Sequence, residues 1–223
     1  SGNTATADNL WVAVGSGTNS IATSTDGTIW TGRGATIFTS AGNKVAYNGS
    51  NLWVSVGYGT GTFNTIATST DGITWTGRGS TILTSYGRGV AYGNGLWVAV
   101  GQGTSNTIAT STDGITWTGR GASIITSYGR AVAYGNNLWV AVGAGTNTIA
   151  TSSDGISWTG RGTTIFTESG LGVTYNSNSS LWIAVGDVSS SGTNSIATSS
   201  DGITWTGRGS TIFTTAGRGV SYA

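Results

Sequence analysis

The sequence predicts an all-β fold, a five-bladed β-propeller with four antiparallel strands per blade, on three observations. A Leu-Trp pair recurs with its tryptophan at Trp11, Trp53, Trp97, Trp139 and Trp182, giving spacings of 42, 44, 42 and 43 residues. A second tryptophan follows in each unit, at Trp30, Trp75, Trp117, Trp158 and Trp205, so the two series account for all 10 tryptophans. Each unit also holds four short runs rich in β-branched and aromatic residues, each closed by Gly, Asn or Asp. Such runs read as strands with turns between them. Four strands every 40 to 45 residues or so is the period of a propeller blade, whereas a β-solenoid repeats over a shorter one.

The third unit shows the four strands in order. Val90-Ala91-Tyr92 ends at Gly93-Asn94-Gly95, and Leu96 to Val100 ends at Gly101-Gln102-Gly103. Thr107 to Ser111 ends at Asp113-Gly114, and Ile115 to Thr118 is the fourth. No apolar stripe holds a helical spacing, and 39 glycines would penalise helix throughout. The whole chain, 1–223, reads as one domain, with 1–8 an N-terminal extension or tag remnant and repeats starting near Leu10, Val45, Val90, Val132 and Val173.

The first-strand motif also recurs at Val220-Ser221-Tyr222, after which no second strand follows, while Leu10-Trp11 has no good first strand before it. The expectation is that this C-terminal strand joins the N-terminal blade as its innermost strand and closes the ring, leaving no sheet edge open. Thr4-Ala5-Thr6 is the competing donor, without the Val and Tyr.

Composition narrows the chemistry. Charged residues are 8% of the chain and the net charge is +1, so no global field draws it to nucleic acid or to an anionic membrane. There is no histidine and no cysteine, which removes the commonest general base, the usual zinc ligands and any disulfide framework. No apolar run approaches the roughly 18 residues of a membrane span. No metal site and no cofactor is expected, and a monomer is.

Each unit carries a hairpin of the form Ser-x-Asp-Gly-x-x-Trp: Ser24 to Trp30, Ser69 to Trp75, Ser111 to Trp117, Ser152 to Trp158 and Ser199 to Trp205. In such a turn the carboxylate accepts backbone N–H bonds and the glycine takes a positive φ. Asp26, Asp71, Asp113, Asp154 and Asp201 are therefore read as turn-fixing residues. The motif resembles the Asp-box, or BNR repeat, of sialidase-like propellers, shortened by one residue because Asp and Gly are adjacent here. The resemblance covers all five units and implies the propeller fold. It also implies that these turns lie on the face opposite the usual ligand entrance. Similar repetitive propellers occur in bacterial surface proteins and large DNA viruses, which implies an extracellular, surface or virion setting.

Sialidases of that resemblance use an arginine triad, a Tyr-Glu pair and an Asp acid. This chain has one glutamate, Glu168, and outside the hairpins only Asp8 and Asp187. Glu168 and Asp187 fall in two loop types that share one propeller face, so a glycoside hydrolase using both is the alternative expectation. The leading one is a non-enzymatic scaffold or binding module. Lys44, Arg88, Arg130 and Arg218 precede the innermost strands, with Leu171 in the fifth place, forming a partial positive ring beside the channel. That ring would take a small anion. Tyr86 and Tyr128, each two residues before an arginine, would suit a carbohydrate. Arg33, Arg78, Arg120, Arg161 and Arg208, after the fourth strands, are expected to bond between blades.

Overall fold

The computed structural model describes residues 10–222 apart from Thr62 and Ser191. The N-terminal extension and the competing strand Thr4–Thr6 lie outside the described residues. Those that are described form antiparallel sheets and no helix. The first sheet holds β1 (Trp11–Val14), β2 (Ile21–Ser24) and β3 (Thr31–Gly32). The second runs β4 (Ala41–Tyr47), β5 (Trp53–Tyr58), β6 (Ile66–Ser69), β7 (Thr76–Gly77), and the third β8 (Tyr86–Gly93), β9 (Leu96–Gln102), β10 (Ile108–Ser111), β11 (Thr118–Gly119). The fourth runs β12 (Tyr128–Gly135), β13 (Leu138–Ala144), β14 (Ile149–Ser152), β15 (Thr159–Gly160), and the fifth β16 (Ser169–Asn176), β17 (Leu181–Asp187), β18 (Ile196–Ser199), β19 (Thr206–Gly207). Strands are neighbours in space in the order they occur in the chain, as in up-and-down blades.

The core lies between sheets rather than within one. Along β9 the side chains alternate, yet both faces are buried. Trp97 and Ala99 pack toward the second sheet with Val54, Val56 and Val90. Val98 and Val100 pack toward the fourth with Trp139 and Ala141. The pattern repeats one seam on, where Val140 and Val142 meet Trp182 and Ala184. Larger valines and smaller alanines share each of these three seams. Across each strand pair, a tyrosine of the inner strand lies on the Leu-Trp tryptophan: Tyr92 on Trp97, Tyr134 on Trp139 and Tyr175 on Trp182, with ring centroids 4.8 to 4.9 Å apart.

One expectation is corrected. The innermost strands begin earlier than Val45, Val90, Val132 and Val173, because residues such as Tyr86 and Tyr128 already pair with the next strand. Two tryptophans of the first sheet stand outside the core, Trp11 at 62% and Trp30 at 44% exposure. Among the described residues β1 has no inner neighbour. The C-terminal segment instead touches the fifth sheet, through Gly217 N–H to Gly186 O at 3.0 Å and Val188 N–H to Thr215 O at 2.8 Å.

Candidate functional site

The inner strands carry a β-bulge in every four-stranded sheet, between Gly42 and Lys44, Gly87 and Gly89, Gly129 and Ala131, and Gly170 and Gly172. A bulge leaves one residue unpaired and re-aims its side chain. The bulged residues are Asn43, Arg88, Arg130 and Leu171, and Arg218 holds the same place in the repeat of the C-terminal segment. The equivalence expected for Lys44 is therefore off by one: Asn43 stands where the arginines stand, and Lys44 is the next residue. The bulge flanks of glycine and alanine bring the inner strands close, so these side chains gather round one space. A cavity of about 250 Å³ is lined by Asn43, Lys44, Arg88, Arg130, Leu171 and Arg218 with their neighbours, none of them acidic.

Arg88 is the most built of these residues. Its guanidinium lies 4.7 Å from the ring centre of Tyr86 and 4.9 Å from that of Tyr128, a sandwich between two sheets. Tyr58 packs in turn on Tyr86, centroids 4.6 Å apart. One guanidinium nitrogen donates to Gln102 Oε1 at 3.1 Å, while Nε is buried without a hydrogen-bond partner. Burial, followed by repulsion from Arg130, pulls the Arg88 pKa below the ordinary guanidinium value. Tyr86 and Tyr128 thus spend a face each on Arg88. Gln102 and Tyr58 were missed by sequence reasoning; both end the second strand of their sheets, opposite Tyr86 and Ala41, where a register argument finds them.

Glu168 directly precedes the inner strand of the fifth sheet, whose first residue, Ser169, pairs with Asp187. Glu168 accepts a bond from the Ser190 hydroxyl, and Asp187 accepts the Ser189 N–H at 2.8 Å. The Ser189 hydroxyl and N–H, with a smaller contribution from Arg218, hold the Asp187 carboxyl below its usual range.

The other ends of the sheets repeat one hydrogen-bond set. In the third sheet Asp113 Oδ1 accepts from Ile115 N–H and Thr116 N–H, both at 2.8 Å, and from the Ser111 hydroxyl at 2.8 Å. Gly114 sits at φ 72°, and Trp117 Nε1 donates to its carbonyl at 2.8 Å. The backbone donors bring the carboxyls of Asp113, Asp154 and Asp201 down to about 2, and those of Asp26 lower Asp26 as well. At Asp71 burial works against the shift, and the Thr74 and Ile73 N–H groups outweigh it. Arg33, Arg78, Arg120, Arg161 and Arg208 bond within a sheet rather than between sheets: each Nε donates to the threonine hydroxyl of the adjacent strand, as Arg120 does to Thr110 at 2.8 Å. A signal missed in the sequence is Asn64, Asn106, Asn147 and Asn194, which clip the fourth-strand exit and the linker of each sheet together.

Repeated four-stranded sheets packed face to face, inner edges round one cavity, define a β-propeller built from repeated blades. No protein-family model and no curated protein matches this chain. Solved structures do. The computationally designed protein Ika8 matches over 98% of this chain at 15% identity and a TM-score of 0.56. A chain of a nidogen/laminin complex matches over 86% at 15% identity and a TM-score of 0.63, and YCF48 bound to a D1 peptide over 75% at 18% identity and 0.51. This chain spans 64% of Ika8, 72% of the matched chain of the nidogen/laminin complex and 53% of YCF48. At these identities the likeness is one of fold.

Proposed function

We propose that this chain is a non-enzymatic propeller module, a five-bladed ring of the Asp-box class closed by its C-terminal strand, that holds a small anion at the channel mouth. One observation carries the reading: Arg88, Arg130 and Arg218 converge, with Lys44, on a cavity of about 250 Å³ that no acidic side chain lines. Like charges brought together in a partly desolvated space repel, and an oxyanion or a carboxylate between them relieves the repulsion. Carbohydrate is the weaker ligand class, because the Tyr86 and Tyr128 faces that would stack on a sugar are engaged by Arg88. Of the hydrolase pair, Asp187 is held below its usual range by Ser189, the opposite of what a glycosidase acid needs.

Titration calorimetry with inorganic phosphate and with citrate tests this. The expected result is a saturable heat at low salt that shrinks as ionic strength rises and is lost in Arg88→Gln. No heat with either anion at millimolar concentration overturns the reading, and a glycan that binds in their place moves it to carbohydrate.

A further inference from the structure

Among the described residues, the first sheet lacks contacts that recur at the same positions of the other sheets. Four observations repeat. Leu10, Leu52, Leu96 and Leu138 each lie on the hairpin glycine of the next sheet, at Gly72, Gly114, Gly155 and Gly202, while among the described residues over Gly27 there is only Trp11 of its own sheet. Linker residues Phe38, Ile125 and Phe166 press on Gly57, Gly143 and Gly186, whereas no described residue lies within 4 Å of the Cβ position at the equivalent Gly15. Asn64, Asn106, Asn147 and Asn194 donate to the carbonyls of Ile37, Ile82, Ile124 and Ile165, but among the described residues Asn19 donates only to its neighbour Thr18. Tyrosines stack on Trp53, Trp97, Trp139 and Trp182, and Trp11 is left 62% exposed.

The missing halves of these contacts stand on the fifth sheet and its C-terminal linker. By repeat position they are Leu181 for Gly27, Phe213 for Gly15, the Ile212 carbonyl for Asn19 and Tyr222 for Trp11. Phe213 is 43%, Ile212 73% and Tyr222 44% exposed, while Phe38 and Phe166 are 0% exposed. The C-terminal segment already makes toward the fifth sheet the contacts that inner strands make toward the sheet before them, as Gly217 N–H to Gly186 O repeats Gly42 N–H to Gly15 O. Gly217 meets Val185 as Gly42 meets Val14 and Gly129 meets Val100, and the Tyr222 hydroxyl reaches Ser177 Oγ at 3.1 Å.

We infer that the first sheet's outer face and the fifth sheet's C-terminal face are two halves of one interface, made within a single chain. The interface has four named pairs: Leu181 on Gly27, Phe213 over Gly15, Asn19 to the Ile212 carbonyl, and Tyr222 on Trp11. The inference rests on the closed-ring part of the reading above and adds its side-chain partners. The same chain is the occupant because Arg218, Gly219 and Val220 line the same cavity as Asn43 and Lys44. The segment follows β16 round that cavity, where Gly172 meets Arg218 and Gly219, and so heads for the inner place of the first sheet. A partner on the same chain also acts at an effective concentration near millimolar, above that of any second copy in dilute solution.

The test uses a cross-link and a truncation series. The repeat register Ala46 opposite Val54 places Ser221 opposite Val12. In a chain with no cysteine, Val12→Cys with Ser221→Cys is expected to oxidise to an intrachain disulfide in a monomer. Phe213→Ala is expected to lower Tm by about 5–15 °C, as much as Phe166→Ala at the neighbouring seam. In the unaltered protein the Gly219–Tyr222 amides are expected to exchange slowly, a readout that needs no variant. Disulfides only between chains, or fast exchange at those amides, overturn the inference together with ring closure. An intrachain disulfide with a Phe213→Ala shift under about 1 °C overturns the side-chain pairing and leaves closure standing. Phosphate heat is read separately on the wild type, so the anion reading fails or stands by its own measurement.

Discussion

The two ends of each sheet follow different rules. At the hairpin end Ser, Asp, Gly and Trp repeat in all five units and make the same bonds each time, whereas the channel end changes residue at nearly every repeat. The bulge position reads Asn43, Arg88, Arg130, Leu171, Arg218, and the start of the inner strand reads Ala41, Tyr86, Tyr128, Ser169, Ala216. What a sheet needs in order to fold is the same five times, so it repeats; what a ligand needs is met once, where several sheets converge. A residue conforming to the repeat therefore answers to stability, and one departing from it answers to the channel.

The largest effect expected from that division lies in the seams. Trp97 is 1% exposed, with its ring on Tyr92 and its indole among Val54 and Val56. Trp97→Ala leaves a void between two sheets and is expected to cost about 3–5 kcal/mol in denaturant unfolding. A cost below about 1 kcal/mol would mean that seams collapse freely and that the repeat is not what stabilises the chain.

Next in size is the hairpin end. Asp113→Ala orphans two N–H groups and a hydroxyl, and about 1–3 kcal/mol is expected to be lost with phosphate binding unchanged. The same carboxylates set the acid limb. Their folded pKa values, about 2 for Asp113, Asp154 and Asp201, lie below the unfolded value of about 3.9. The contribution is thus complete above about pH 4 and lost as pH falls toward 2, so Tm should be flat from pH 8 to about 5 and then decline. Each carboxylate faces water, which keeps its share small. A decline beginning near neutrality contradicts this, since the chain has no histidine to titrate there.

Fold and site were legible in the sequence to different depths for the same reason. The period of Leu-Trp, the Asp-Gly turns and the Val-Ala-Tyr strands are local signals repeated five times, so chance departures in one unit do not obscure them. The offset at Asn43 and Lys44 was not legible, because a bulge adds a residue without leaving a composition signature: Gly-Asn-Lys and Gly-Arg-Gly align by charge as readily as by register. Gln102 was hidden because its partner, Arg88, is 14 residues away and meets it only through the strand pairing. The within-sheet bonds of Arg33 and its equivalents were hidden too, since a spacing of 10 residues across a hairpin says nothing until the register is fixed.

The smallest stability effect, and the sharpest test of the division, is at Arg88. Its guanidinium packs between Tyr86 and Tyr128 and bonds Gln102, contacts that favour the fold. Against them stand a partly desolvated charge, repulsion from Arg130, and a buried Nε without a partner. Exchanging such a charge for an apolar chain of similar length is often neutral, and methionine keeps a favourable contact with both rings. Arg88→Met is therefore expected to change unfolding free energy by no more than about 1 kcal/mol while abolishing the heat of phosphate binding. A loss above about 3 kcal/mol would place Arg88 with the hairpin aspartates, as a residue the fold requires, and the channel end would then obey the same rule as the other.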